Sequence, residues 1–280
     1  MKKLNQLKTN KSIAIIGGKG QMARMINRFL KPQKHLTIDL IDKNDRLSDD
    51  QYKKFDLVLI SVPIALTNTV IKTIAKKISK NCILCDFTSI KLEPLKCMLN
   101  AHSGAVIGLH PMFGPTISET KNQVIIHTPG RNQLQYQWFL DLLEITGFQI
   151  ETMDAKEHDQ LMNFIQGVEH FSTFCLGSFL KEQSVDLKKL LKLASPVYQM
   201  ELNILGRLFY QSAELYADII ASDKKRIALL EAYADHIKAI ALSLKVGKRD
   251  EFIQRFNAIR NEMGEFCQTA YEKTDSTLVK

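Results

Sequence analysis

The chain has 280 residues, 45% of them apolar, enough for one large domain or two modest ones and too many for wholesale disorder. Lys and Arg outnumber Asp and Glu by 38 to 30, a net charge of +8, but the positive residues are scattered. The denser cluster Asp223-Lys224-Lys225-Arg226 begins with an acid and reads as a solvated helix face. Nucleic acid is therefore not an expected partner, and a positive field suits an anionic small molecule.

Residues 1–8 are positive without the apolar run of a signal peptide, and no stretch approaches the roughly 18 consecutive apolar residues of a membrane span. A soluble, cytoplasmic protein is expected. Five cysteines, an odd count, point to reduced thiols. Cys82 and Cys85 form a C-x-x-C, but in an apolar run that reads as a strand their side chains point to opposite faces. No second pair accompanies them, so no metal site is expected.

In chain order, short apolar runs at 12–17, 36–41, 56–62, 81–87, 105–109, 124–127 and 148–153 predict strands. Helical patterns separate several of them, as at 21–30 and 65–78. Strands alternating with helices imply βαβ units and a doubly wound, mostly parallel sheet. After about residue 153 the strand signals fade. Helical periodicity then runs through 155–182, 186–194, 196–212, 213–222, 224–245 and 250–273, with Ser195-Pro196 as an N-cap and first-turn proline. The expected architecture is a Rossmann-like α/β domain over 1–153 followed by an all-helical domain over 154–280.

The first strand runs into Gly17-Gly18-Lys19-Gly20-Gln21-Met22-Ala23 and then a helix. Gly18, Gly20 and Ala23 match G-x-G-x-x-G/A: Gly18 for the tight turn, Gly20 for close approach of a pyrophosphate, and small Ala23 for helix–strand packing. A pyrophosphate there meets the amide groups of the helix N-terminus at Gln21 and Met22, with Lys19 beside it. Asp42, ending the second strand, is placed to bond the adenosine ribose hydroxyls and to repel an extra phosphate, which favours NAD over NADP.

In such sheets ligands sit beyond the carboxyl ends of the strands. Three runs end there in polar residues: Ser61-Val62-Pro63, Asp86-Phe87-Thr88-Ser89-Ile90-Lys91, and Gly108-Leu109-His110-Pro111-Met112-Phe113-Gly114-Pro115. His110, in a loop stiffened by proline and glycine, is either a proton acceptor or a structural histidine. Further on, Asn163, Gln166, His170, Thr173 and Gly177 share a stripe about 80° wide on an ideal helix at ~100° per residue. The rest of that segment is largely apolar, so the stripe faces either a wet cleft between domains or a helix–helix hydrogen-bond network. Arg207 follows Gly206 in a mostly apolar helix, and a buried arginine needs an anion from the protein or a ligand.

These motifs together resemble prephenate dehydrogenase. The resemblance includes Glu157-His158-Asp159-Gln160, His170-Phe171-x-Thr173-Phe174, Ser195-Pro196-x-Tyr198, Gly206-Arg207-Leu208-Phe209 and Leu215-Tyr216-Ala217-Asp218-Ile219. It covers about 12 to 270 and is similar to the dehydrogenase half of the bifunctional chorismate mutase–prephenate dehydrogenase, whose mutase half this chain is too short to hold. The resemblance implies NAD-dependent oxidative decarboxylation of prephenate in tyrosine biosynthesis. His110 would be the catalytic histidine, and Ser89 would touch the same ring hydroxyl. Arg207 would bind a carboxylate, with His170 near the substrate and Lys91 at the edge of the site. A homodimer built through the helical domain and feedback inhibition by tyrosine are also implied. Gln199 and Glu169 depart from the family pattern, each making the site less positive, so arogenate dehydrogenase and a silent NAD- or tyrosine-binding regulator stand as alternatives.

Overall fold

The computed structural model describes residues 9–278; the reading of residues 1–8 lies outside them. The chain packs as two compact units that divide between Met162 and Asn163. In the first, β1 (Lys11–Ile16), α1 (Gln21–Leu30), β2 (Leu36–Ile41), α2 (Asp49–Tyr52), β3 (Leu57–Ile60), α3 (Ile64–Ala75), β4 (Ile83–Asp86), α4 (Leu92–Ala101) and β5 (Val106–Pro111) alternate. Then come β6 (Val124–Arg131), α5 (Gln133–Ile145), β7 (Gln149–Thr152) and α6 (Ala155–Met162). The strands form one sheet in the order β2-β1-β3-β4-β5-β6-β7, parallel except for the β5–β6 pair.

The inner strands are buried on both faces, so alternate residues feed two cores. Ile13, Ile15, Leu57, Leu59 and Cys85 pack with Met25 and Ile26 of α1 and Phe139 and Leu142 of α5. Ala14, Val58, Ile60, Cys82 and Leu84 pack on the other side with Ile71 of α3 and Met98 of α4. Each such aliphatic side chain contributes about 1.5–3 kcal/mol. Cys82 and Cys85 are thus core residues of opposite faces, and burial pushes the Cys82 thiol up to about 12.

One expectation shifts here. The antiparallel neighbour β6 extends β5 past 109, pairing His110 with Ile126 and Pro111 with Ile125, so His110 sits on a strand and not in a loop. Helix α6, which the sequence places in the helical domain, packs with the sheet unit. Ala155 of α6 packs into the second core, and Asp159 accepts hydrogen bonds from the Lys91 and Leu92 amides, which ties α6 to the sheet unit.

The second unit is helical. A π-helical segment, Asn163–Val168, runs into α7 (Glu169–Glu182), followed by α8 (Leu187–Leu193), α9 (Pro196–Phe209), α10 (Ala213–Ile220), α11 (Lys224–Lys245), α12 (Arg249–Met263) and α13 (Glu265–Leu278). Ser195 caps α9 by accepting from the Tyr198 amide, with Pro196 in the first turn as expected. Gly177 admits the Phe209 ring: a Cβ there would lie 2.3 Å from it. The stripe of Asn163, Gln166, His170, Thr173 and Gly177 is half-buried, but the apolar flank is not. Phe164 is 62% exposed in the single chain, and Ile165, Phe174 and Leu176 are exposed too.

What fills the inside instead is Arg226, expected on a solvated face and in fact 1% exposed. Its Nε donates to Asn163 Oδ1 at 3.0 Å, its Nη1 donates to the Ile219 carbonyl, and Gly167 lies against its stem. Asp223, the acid at the head of that cluster, caps α11 through the Lys225 and Arg226 amides. Among the described residues no helix is long and apolar enough to cross a membrane.

Candidate functional site

The sheet order reverses between β2 and β3, on either side of β1, and the crevice at such a switch point is where a doubly wound sheet takes its ligand. The glycine turn occupies that crevice. Gly17, not Gly18, carries the positive φ, +89°, and a Cβ on it would sit 2.2 Å from the Ser61 carbonyl oxygen. A Cβ on Gly18 would sit 2.7 Å from Leu40, so Gly18 serves close approach to β2. The Gly17 and Gly18 amides both donate to the Ile41 carbonyl, at 2.8 and 3.0 Å. A Cβ on Gly20 would lie 3.0 Å from the Gly17 carbonyl oxygen, a tight contact, and 3.8 Å from the Ser61 carbonyl oxygen, less crowded than at Gly17 or Gly18. No side chain caps α1, so its first amides, from Gln21 on, suit an anion. Ala23 is fully buried beneath them.

Asp42 follows β2. Its carboxylate accepts from the Lys19 amide at 3.0 Å and the Lys43 amide at 2.9 Å. The Lys19 hydrogen bond first, then that from Lys43, hold it below the ordinary carboxylate range. The predicted ribose-binding acid is thereby fastened to the predicted phosphate-binding turn. Ser61, Val62 and Pro63 line the same crevice from the end of β3, with the Ser61 amide donating to the Ile16 carbonyl at 2.8 Å. These residues fit a dinucleotide: a glycine turn, uncapped amides and an acid one strand away.

At the ends of β4 and β5 stands a connected polar chain. His110 is 2% exposed, and its Nδ1 lies 2.8 Å from His158 Nε2. His158 Nδ1 lies 2.7 Å from Asp159 Oδ1. Asp159 accepts from the Lys91 amide at 2.8 Å and the Leu92 amide at 2.9 Å. Burial would raise its carboxyl, but the hydrogen bonds from His158 and the two amides outweigh that and hold it below the usual range. The loop after His110 is pinned by Phe113, stacked on Phe148 with centroids 5.5 Å apart. Ser89, half-buried, sits in the β4–α4 turn two residues before Lys91.

Lys91 is not at an edge. Its ammonium is fully buried, 2.5 Å from Asp86 Oδ2 and 2.8 Å from the Leu109 carbonyl, so it braces the strands that carry Ser89 and His110 and does not reach out to a ligand. Asp86 Oδ2 also accepts from the Thr88 amide.

In the second unit, His170 meets Glu169 through its Nδ1 and Tyr216 edge to face, with centroids 4.9 Å apart. Gln211 donates to Tyr216 Oη at 2.8 Å. Burial first, then the Glu169 charge, raises the Tyr216 hydroxyl, while the Arg207 charge works the other way. Arg207 is exposed on α9. The buried arginine that the apolar helix led one to expect is Arg226 instead, and backbone and amide oxygens compensate it. In the sequence Tyr216, His158 and Asp159 stand out only as parts of motifs. Their roles arise from contacts far apart in sequence, 48 residues in the case of His110 and His158. A hollow of about 500 Å³ opens beside His102 and Arg131 at the other end of β4 and β5, away from every one of these groups. The strand-end chemistry, not that volume, locates the site.

Residues 24–151 match the family model of the nucleotide-binding domain of prephenate dehydrogenase, and residues 154–258 match that of its dimerization domain. The T-protein of Enterobacter agglomerans is 41% identical over 268 residues, which span 95% of this chain and 71% of that protein. The T-protein of Haemophilus influenzae is 38% identical over 257 residues, 91% of this chain and 68% of that one. Among solved structures, prephenate dehydrogenase from Aquifex aeolicus, in complex with hydroxyphenyl propionate and NAD+, shares the fold. Its TM-score is 0.67 at 17% identity, over 91% of this chain and 98% of that one. The chain belongs to the prephenate dehydrogenase family of oxidoreductases, with a nucleotide-binding domain ahead of a dimerization domain.

Proposed function

We propose that, in the oxidative decarboxylation of prephenate, His110 takes the proton of the ring hydroxyl, with Ser89 hydrogen-bonded to the same oxygen. The observation that carries this is the position of His110: buried at the carboxyl end of β5, with one ring nitrogen already engaged by His158. The Gly18–Met22 turn and Asp42 would hold NAD, which would supply the hydride acceptor for the carbon that bears the hydroxyl. His110 gains the hydroxyl proton as the C–O bond becomes a carbonyl. The ring carboxylate then leaves as CO2, its bonding electrons aromatise the ring, and the phenolate oxygen takes the proton back from His110. Arg207 supplies positive charge for a substrate carboxylate, with His170 beside it.

The second unit supports a homodimer. The helices α7, α8 and α12 contain no fully buried residue in the single chain, and Phe164, Phe256 and Phe266 are exposed. An apolar surface of that extent calls for a partner, and a second copy fits a domain of this family. Feedback inhibition by tyrosine, which resembles the product, and a cytoplasmic location belong to the same reading.

The test is NADH formation from prephenate by the purified chain, with NADP and arogenate run in parallel. Prephenate with NAD is expected to react fastest. His110→Asn should lower kcat by roughly 10²–10⁴-fold with little change in KM. Unchanged turnover in that variant would remove His110 from the chemistry. Turnover of arogenate alone would shift the substrate and direct attention to Glu169 beside His170.

A further inference from the structure

His158 and Asp159 take no part in the chemistry above, yet their hydrogen bonds decide which nitrogen of His110 can take part in it. An ionised carboxylate only accepts hydrogen bonds. Asp159 is ionised near neutral pH, since the groups around it hold its carboxyl low. Across the 2.7 Å contact His158 Nδ1 must therefore carry the hydrogen. A neutral His158 then presents Nε2 as an acceptor, so across the next contact, 2.8 Å, the hydrogen lies on His110 Nδ1. A neutral His110 with hydrogen on Nδ1 has its lone pair on Nε2.

We infer that Asp159 and His158 are positioning residues that hold His110 in the Nδ1–H tautomer, so that Nε2 is the nitrogen that accepts the hydroxyl proton; this rests on the reading of His110 as the base. The same two bonds give the positive charge somewhere to go. When Nε2 takes the hydroxyl proton, the Nδ1 proton can pass to His158 Nε2, which places the cation beside the Asp159 carboxylate. The proton returns by the same route when the phenolate reclaims its own. His158 is fully buried and His110 nearly so, and a cation shut in at that depth is costly without a carboxylate in contact. Asp159 is itself held by the amides at the start of α4, so the chain of bonds is anchored to backbone at one end.

The test reads the tautomer directly. The seven histidines are labelled with nitrogen-15, and their ring protonation is read by long-range nitrogen–proton correlation; His110 is assigned by the signal lost in His110→Asn. In the unsubstituted chain His110 should show the Nδ1–H form. Asp159→Asn can turn an amide N–H toward His158 Nδ1, which flips both rings and puts the hydrogen on His110 Nε2. Its kcat should fall roughly 10²–10⁴-fold, with KM and NAD affinity within about threefold.

His158→Gln, which keeps an acceptor for the His110 Nδ1–H and leaves the Asp159–amide contacts in place, should keep the tautomer and lose less kcat than His158→Leu. This pair decides the matter if Asp159→Asn does not fold. An Nε2–H form in the unsubstituted chain overturns the proposal, as does equal loss in His158→Gln and His158→Leu with the tautomer unmoved. Failure of the base assignment itself shows up elsewhere, as undiminished turnover in His110→Asn.

Discussion

Replacing Lys91 with methionine separates two roles for that residue. Methionine fills a similar volume but leaves Asp86 without the cation 2.5 Å from its Oδ2, and both side chains are fully buried. Breaking a buried ion pair from one side costs about 3–5 kcal/mol, because the remaining charge stays uncompensated. In a unit of this size each 1 kcal/mol shifts Tm by about 2–4 °C, so Lys91→Met should melt roughly 6–20 °C lower by circular dichroism. The double variant Asp86→Asn/Lys91→Met removes both charges of this pair and should recover much of that loss. Turnover should fall as well, since the Leu109 carbonyl held by Lys91 immediately precedes His110 and the Thr88 amide held by Asp86 immediately precedes Ser89. KM for prephenate should hardly change. An unchanged Tm with a raised KM would refute the reasoning: the ammonium would then be reaching substrate, as the sequence resemblance implied.

Burial pushes His127 down to about 4, from 6.5, with its ring 3.0 Å from Thr152 Oγ1 and 3.4 Å from the Tyr136 hydroxyl. Its folded value lies below its unfolded one, so its contribution is complete above pH ~6.5 and is lost as pH falls toward ~4, at most about 3 kcal/mol. His127→Gln should flatten the dependence of urea stability on pH across that window, and an unaltered slope would count against it. Sedimentation equilibrium of the whole chain should give twice the single-chain mass, and Phe256→Asp on the exposed side of α12 should weaken the association. A monomer at all concentrations would overturn the homodimer.

Much of this molecule could be read from its residues in order. Strands buried on both faces are short apolar runs wherever they occur, so 56–62 reads directly as β3, and the alternation with helices gives the doubly wound sheet. The glycine turn was legible because backbone approach and a strand-to-helix turn demand small residues at fixed offsets, although only the structure assigns the positive φ to Gly17. Ser195 and Asp223 cap their helices through atoms a few residues away, within the reach of local reading.

The rest depended on which surfaces meet. An isolated β5 would stop near 109; the antiparallel partner β6 carries it through His110. Helical periodicity says that a side chain faces one way but not what covers it, so Arg207 read as buried and is exposed, while Arg226 read as solvated and is enclosed. Lys91 looked like a residue at a strand end and lies under it, paired with Asp86 five residues earlier. His158 and Asp159 acquire a part in the site because α6 packs against the sheet and brings them to His110 and to the Lys91 amide, 48 and 68 residues away in sequence. Local sequence fixes dihedral preferences and the apolar faces. Partnerships between distant polar groups exist only once those faces are buried against one another.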